Sequence, residues 1–202
     1  GCGSATQERT SRVETLPYYQ EATFTPQWFS TEEDVPSDFH QIPKFSLTNQ
    51  LGESISEEDV QDKIFVVDFF FTSCPGICPK MTSNMAVIQE EFLEDDEVLL
   101  LSHSVTPDID QVPILQEYAE VKGVVEGKWH LLTGKREEIY HLGRYQYFVE
   151  EDLGLEKDPN AFIHTENFVL VDGNRHIRGI YNGLNTTAVS QLIADIKTLK
   201  GS

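Results

Sequence analysis

Two cysteines four positions apart are the residues of this chain best suited to chemistry. Cys74 and Cys78 lie in the segment Thr72-Ser73-Cys74-Pro75-Gly76-Ile77-Cys78-Pro79, and the third cysteine, Cys2, stands near the N-terminus. Such a pair can close into a disulfide through the flexible Pro-Gly link, or can direct both sulfurs towards one soft metal ion. The motif by itself therefore predicts either a redox dithiol or a metal site.

The segments on either side of the motif predict a strand and a helix that position the cysteines. Residues 64–71 are apolar nearly throughout, as in a central strand buried on both faces. Met81 and Met85 begin a series of apolar residues at helical spacing, so we interpret them as core residues rather than metal ligands. Because the free amides at a helix start stabilise thiolates, both cysteines are expected to be reactive.

A third metal ligand would have to come from a distant segment. Two thiolates and one imidazole make a three-coordinate site that suits Cu(I) and accommodates Cu(II). A long acidic loop, residues 149–161, ends just before His164, and we expect this loop to be mobile and to carry His164 towards the cysteines. Of the other histidines, His103 is expected in the core and His176, beside a turn, is expected to face solvent. The chain has six histidines: His40, His103, His130, His141, His164 and His176.

The remaining pattern predicts one α/β domain with an N-terminal extension. We expect a flexible tether over residues 1–14, an arm or hairpin over residues 15–40, and the folded domain over residues 41–200. Strand and helix signals alternate along that domain. Further strands are predicted at residues 42–50, 98–105, 129–133, 167–172 and 176–181, and further helices at residues 112–121, 137–145 and 189–199.

Composition and charge restrict the classes of partner. The 202 residues include 15 Lys and Arg against 34 Asp and Glu, a formal charge of −19 that makes nucleic-acid binding improbable. No apolar stretch approaches the ~20 residues of a membrane-spanning helix. Cys2 resembles the first residue of a mature bacterial lipoprotein, which predicts a lipid anchor and an extracytoplasmic location. The alternative is that Cys2 is incidental.

The residues around the motif are similar to those of a known family. Residues 69–79, Phe-Phe-Phe-Thr-Ser-Cys-Pro-Gly-Ile-Cys-Pro, resemble the signature of the SCO/SenC copper proteins. The similarity extends over roughly residues 40 to 200, and its further segments are Ser104-Val105-Thr106-Pro107-Asp108-Ile109-Asp110, Leu131-Leu132-Thr133-Gly134 and Ile163-His164-Thr165. The resemblance implies a thioredoxin-like fold, with a central mixed sheet flanked by helices.

The same resemblance implies a copper site and a partner. By it, Cys74, Cys78 and His164 bind copper, as Cu(I), Cu(II) or both, for maturation of the CuA centre of cytochrome c oxidase. The partner is then the oxidase subunit that carries CuA, or another copper chaperone, and the protein itself is expected to be a monomer. Some relatives instead reduce the cysteines of the oxidase subunit, so a thiol-disulfide oxidoreductase in which Cys74 and Cys78 are the redox dithiol remains the alternative.

Two positions depart from the pattern of the family. Thr106 and Ile163 stand where many relatives have Asp, so a carboxylate that orients the metal-binding histidine is expected to be missing, unless Asp108 or Asp110 supplies one. Zinc is a rival metal, although two cysteines and one histidine leave a structural zinc site one ligand short. A peroxide-reducing activity is less favoured, because the chain lacks the Thr-x-x-Cys pattern of that chemistry before Cys74.

Overall fold

The computed structural model describes residues 15–154, 158 and 160–201. The predicted tether, Cys2 and part of the acidic loop lie outside these residues. The elements that position the site, in chain order, are β1 (Ser46–Thr48), β2 (Ser54–Ser56), β3 (Ile64–Phe70), α1 (Cys78–Glu91), β4 (Val98–Ser104), α2 (Val112–Lys122), β5 (Trp129–Leu132), α3 (Arg136–His141), a π-helix (Leu142–Gln146), β6 (Asn167–Val171), β7 (Ile177–Asn182) and α4 (Thr186–Lys200).

The main sheet has the strand order β5-β4-β3-β6-β7. Strands β3, β4 and β5 run parallel, whereas β6 pairs antiparallel with both β3 and β7. Helices join the parallel strands to one another, and a tight turn joins the antiparallel strands β6 and β7, as each type of connection requires. The predicted central mixed sheet is confirmed, with β3 in the middle and all seven of its residues buried.

Side chains of β3 alternate between two hydrophobic cores, one on each face of the sheet. Phe65, Val67 and Phe69 face the core that contains α3 and the π-helix. Val66 and Phe70 face the core built from α1, α2 and α4. This second core includes Met81 and Met85, both fully buried, so their interpretation as core residues is confirmed. Helices therefore cover both faces of the sheet, and β3 delivers its C-terminal end between them.

Residues 15–42 run along the outer strand β7. Tyr19 forms an antiparallel bridge with Ile177, and Tyr18 and Phe39 pack edge-on against the ring of His176. His176 is only 8% exposed, so the prediction that it faces solvent is wrong. The turn beside it is on the surface, but aromatic residues from a distant part of the chain cover the ring. Burial accordingly lowers the pKa of His176.

The segment before β3 differs from its prediction. In place of one strand over residues 42–50, the short strands β1 and β2 pair with each other in a small separate sheet. Thr48 also bridges to Thr133, directly after the outer strand β5. Across the described residues, no helix is both long and apolar enough to cross a bilayer.

Candidate metal and redox site

Cys74 and Cys78 lie where the central strand β3 gives way to helix α1. The connection between β3 and α1, which we call the cysteine loop (residues 72–78), leaves the sheet at Thr72 and enters the helix at Cys78. Pro79 occupies the first turn of α1, where its missing N–H has no cost. Cys74 is partly exposed and Cys78 is buried, and both are free thiols. The predicted strand, dithiol and helix are all present in this order.

The two thiols interact directly, and their acidities move in opposite directions. Burial raises the pKa of Cys74, but hydrogen bonds from the thiol of Cys78 and from the backbone N–H groups of Cys78, Gly76 and Ile77 outweigh it and leave this pKa below its ordinary value. Burial and the hydrogen bond to Cys74 raise the pKa of Cys78 to about 12. The two shifts favour the thiolate of Cys74 over that of Cys78, chiefly because Cys78 is buried, and the expectation that both cysteines are reactive stays a prediction.

A buried carboxyl group lies on the α1 side of β3. Asp68 is 1% exposed and accepts a hydrogen bond from the hydroxyl of Ser102, which in turn accepts one from Trp129 Nε1 at 2.9 Å. Burial raises the pKa of Asp68 to about 7, against a smaller opposing effect of Ser102. The charge of Asp68 also contributes, after larger causes, to the raised pKa of Cys78. Asp68 was not singled out from the sequence, although an Asp that interrupts an apolar strand is a signal from which this group could have been found.

A second buried carboxylate, Asp110, holds the start of the cysteine loop. Its oxygens accept hydrogen bonds from Thr72, through both the backbone N–H and the hydroxyl, and from the hydroxyls of Ser104 and Thr106. Asp108, the other carboxylate considered from the sequence, is exposed. Asp110 therefore acts on the cysteine side of the site, and none of its hydrogen bonds reaches His164.

His164 is exposed, but the chain around it is firmly held. In this histidine segment (residues 161–165), Ile163 is 2% exposed in the core, and Thr165 Oγ1 donates to Val149 O at 2.7 Å. Arg144, on the π-helix, donates to the carbonyl of Ala161 and pairs with Glu150 at 2.9 Å. The anchors lie on both sides of His164, so the end of the acidic loop is fixed where the histidine is attached.

Aromatic contacts connect the histidine segment to the cysteine loop. The ring of Phe162 packs edge-on against Phe71, which directly precedes Thr72, with 5.4 Å between ring centroids. The same ring contacts the imidazole of His164, with 4.6 Å between the ring centroids. Sequence reasoning missed Phe162 and Arg144, because a lone aromatic and a lone arginine beside a loop carry no distinctive pattern.

The donor set of two thiols and one imidazole suits copper, but the structure does not gather it completely. Cys74 and Cys78 are in contact through their sulfurs, whereas within residues 15–154, 158 and 160–201 no three His, Cys, Asp or Glu side chains are close enough together to hold a metal ion. His164 is thus in the neighbourhood of the pair, through Phe162 and Phe71, without being at ligand distance. His103, in contrast, is fully buried in β4, as predicted.

Comparison with known proteins decides the relationship. A sequence profile described as SCO1/SenC matches residues 33–201. The chain belongs to the SCO1/SenC family. Among solved structures, a SCO1/SenC family lipoprotein from Bacillus anthracis str. Ames is 31% identical to this SCO1/SenC protein, with a TM-score of 0.69 over 80% of this chain and 95% of that chain. The resemblance noted in the sequence is therefore confirmed.

Two further structures describe the range of the family. BsSco, a member of the Sco family of cytochrome c oxidase assembly proteins in which a disulfide switch is identified, is 28% identical, with a TM-score of 0.67 over 80% of this chain and 94% of that chain. ScoI of Arabidopsis thaliana with copper bound is 23% identical, with a TM-score of 0.59 over 77% of this chain and 98% of that chain. The latter supports the fold alone, and the predicted thioredoxin-like fold is confirmed for this SCO1/SenC protein.

Proposed function

We propose that this SCO1/SenC protein binds one copper ion through Cys74, Cys78 and His164 and passes it to the CuA site of cytochrome c oxidase. Copper is cargo in this function and leaves the protein by ligand exchange. The observation that carries the proposal is the pair of free thiols, joined by a hydrogen bond at the end of a central strand, in a family with a member described as a cytochrome c oxidase assembly protein. Thiolates are the ligands that Cu(I) prefers.

The structure arranges the two thiols for metal binding more completely than it arranges the imidazole of His164. The lowered pKa of Cys74 favours the thiolate that a soft metal needs, and metal binding would displace the proton of Cys78. His164 would complete the site through rotation of its exposed side chain together with a shift of the cysteine loop, since the chain on either side of His164 is anchored. A two-thiol site with a third ligand that joins and leaves suits an ion that must be handed on.

The proposal extends to the location and the partner. Anchoring through a lipid on Cys2 would hold the domain at the outer face of a membrane, next to an oxidase subunit that carries CuA or to another copper chaperone. A related family member is described as a lipoprotein. Cys2 itself lies outside the described residues. Replacement of Cys2 by Ser should therefore release the protein into the soluble fraction of cells that express it.

Anaerobic titration of the reduced protein with Cu(I) against a competing chelator tests the copper site. We expect tight one-to-one binding that Cys78→Ser abolishes and that His164→Ala weakens by at least about tenfold, or ~1.4 kcal/mol. His141→Ala is the matched control, because His141 is also an exposed histidine but lies away from the cysteines on α3. Copper affinity that is equal in the His164 and His141 variants would exclude His164 as a ligand.

The second candidate, a thiol-disulfide oxidoreductase, is supported by the unequal acidity of the two thiols. In that reaction the Cys74 thiolate would attack a substrate disulfide and expel one substrate thiolate, and Cys78 would then resolve the mixed disulfide and leave both substrate sulfurs reduced. His164 would have no role in it. Weak copper binding that is indifferent to His164, together with reduction that requires both cysteines, would favour this candidate.

A further inference from the structure

The carboxylate of Asp110 joins the cysteine loop to the neighbouring strand. Asp110 is fully buried, and its carboxylate accepts hydrogen bonds from two different segments of the chain. On one side, Thr72 donates its backbone N–H to Asp110 Oδ2 at 3.2 Å and its hydroxyl to Oδ1. On the other side, Oδ2 accepts from Ser104 Oγ at 2.7 Å and from Thr106 Oγ1 at 2.9 Å. Three of these four donors are directed to Oδ2 and one to Oδ1, so both oxygens of the carboxylate are engaged.

The far side of this arrangement is rigid. Ser104 is the last residue of β4, which pairs with both β3 and β5. Asp110 is further held by its own backbone N–H, which donates to Thr106 O at 2.8 Å. Thr72 is consequently tied, through Asp110 in the loop after β4, to the last residue of that strand.

Beyond Thr72, few contacts hold the cysteine loop. Pro75, Gly76 and Ile77 are exposed, and a Cβ added at Gly76 would meet nothing within 4 Å. In the part of the chain that the structure describes, the hydrogen bonds of residues 73–76 all stay within residues 71–78, while Cys74 packs against the core on the α1 side. The position of Cys74 relative to Cys78 therefore depends on this packing and on the two ends of the loop, namely Thr72 and the start of α1.

We propose that Asp110 is a positioning residue for the dithiol: by clamping Thr72, it keeps Cys74 opposite Cys78 so that both sulfurs are arranged in advance for one copper ion. This inference rests on the proposed copper function. Without the clamp, both sulfurs remain available, but their arrangement has to be imposed at each binding event, which costs affinity. Residues that orient metal ligands typically contribute about 10- to 100-fold to metal affinity.

The test compares variants at both ends of the same hydrogen bonds. Asp110→Asn places an amide N–H₂ against donors, and Thr72→Val removes one hydroxyl while the shape of the side chain is kept. We expect Cu(I) affinity to fall about 10- to 100-fold in Asp110→Asn and about tenfold in Thr72→Val. Thr72→Ser retains the hydroxyl and should bind copper like the unmodified protein.

Tyr140→Phe is the control for a merely structural role. It removes a buried hydrogen bond, from the Tyr140 hydroxyl to Val105 O at 2.8 Å, that involves neither Asp110 nor the cysteine loop. We expect it to lower the thermal midpoint about as much as Thr72→Val does, while Cu(I) affinity changes less than about threefold. Equal copper loss in Tyr140→Phe and Thr72→Val, or unchanged affinity in Thr72→Val, would overturn the proposal.

A second readout separates failure of this inference from failure of the copper function. If the unmodified protein does not bind Cu(I) tightly, the proposed function fails, and the clamp is tested on the equilibrium of the dithiol with glutathione disulfide. Looser positioning lowers the effective concentration of one thiol at the other. Thr72→Val should then reduce the equilibrium constant for disulfide formation about three- to tenfold, and Thr72→Ser should not. An unchanged constant in Thr72→Val would overturn the inference by this route as well.

Discussion

The cysteine loop and the histidine segment are built in contrasting ways. The cysteine loop is exposed over residues 75–77 and depends mainly on Thr72, on α1 and on the packing of Cys74. The histidine segment is held along its length, by a buried Ile163 and by hydrogen bonds on both sides of His164. Of the three residues of the proposed site, Cys74 therefore lies on the loosely held part, whereas Cys78 is buried at the start of α1 and His164 projects from an anchored segment.

Matched isoleucines give the largest expected contrast between the two regions. Ile163→Ala leaves a cavity in the core and should lower the free energy of unfolding by about 2–5 kcal/mol. Ile77→Ala, at a residue that is 41% exposed, should cost less than about 1 kcal/mol. Urea unfolding of both variants measures the difference. Similar losses at the two positions would mean that the cysteine loop is as firmly packed as the histidine segment.

The next contrast lies within the cysteine loop. Because the pKa of Cys74 is lowered and that of Cys78 is raised to about 12, a larger fraction of Cys74 than of Cys78 is thiolate at neutral pH. Iodoacetamide should modify Cys74 at least about 100-fold faster than Cys78 at pH 8, as peptide mapping by mass spectrometry would show. The labelling rate of Cys74 should level off at a lower pH than that of an ordinary thiol. Equal labelling of both cysteines would contradict the opposite pKa shifts.

Two glycines give the smallest contrast. A Cβ at Gly143, on the π-helix, would lie 3.0 Å from both Ile163 Cδ1 and Phe69 Cε1, so Gly143→Ala should cost about 1–3 kcal/mol and disturb the residue next to His164. A Cβ at Gly76 meets nothing, so Gly76→Ala should stabilise by up to about 0.5 kcal/mol through loss of unfolded-state freedom. Thermal unfolding of the pair tests this, and a destabilised Gly76→Ala variant would argue against an open cysteine loop.

The difference between the two regions also explains how much could be predicted from the sequence. The strand, the dithiol and helix α1 are encoded within about 30 consecutive residues, by apolar periodicity and one motif, and all were predicted. The clamp is different, because Asp110 lies 38 positions from Thr72 and nothing in its surroundings indicates the partner. Side chains that act across the fold in this way are invisible to a reading of local pattern.

Two differences between sequence and structure have the same physical origin. His176 was expected at the surface from its own neighbours, but Tyr18 and Phe39 from the N-terminal arm bury it. The helix start was expected to favour the thiolates of both cysteines, but burial and the hydrogen bond to Cys74 raise the pKa of Cys78. In both cases the local preference is real, and packing by residues that come together only in the folded chain outweighs it.

The bridges at the two outer strands have a consequence for how a partner can be recognised. The arm meets β7 at Ile177, and the small sheet meets β5 through Thr48 and Thr133. Unpaired backbone at a sheet edge is a template onto which another polypeptide can add as an extra strand, in specific recognition or in aggregation. Here each border of the main sheet is partly covered by the chain itself. A strand from another chain could pair at the bridged positions Ile177 and Thr133 only by displacing these segments.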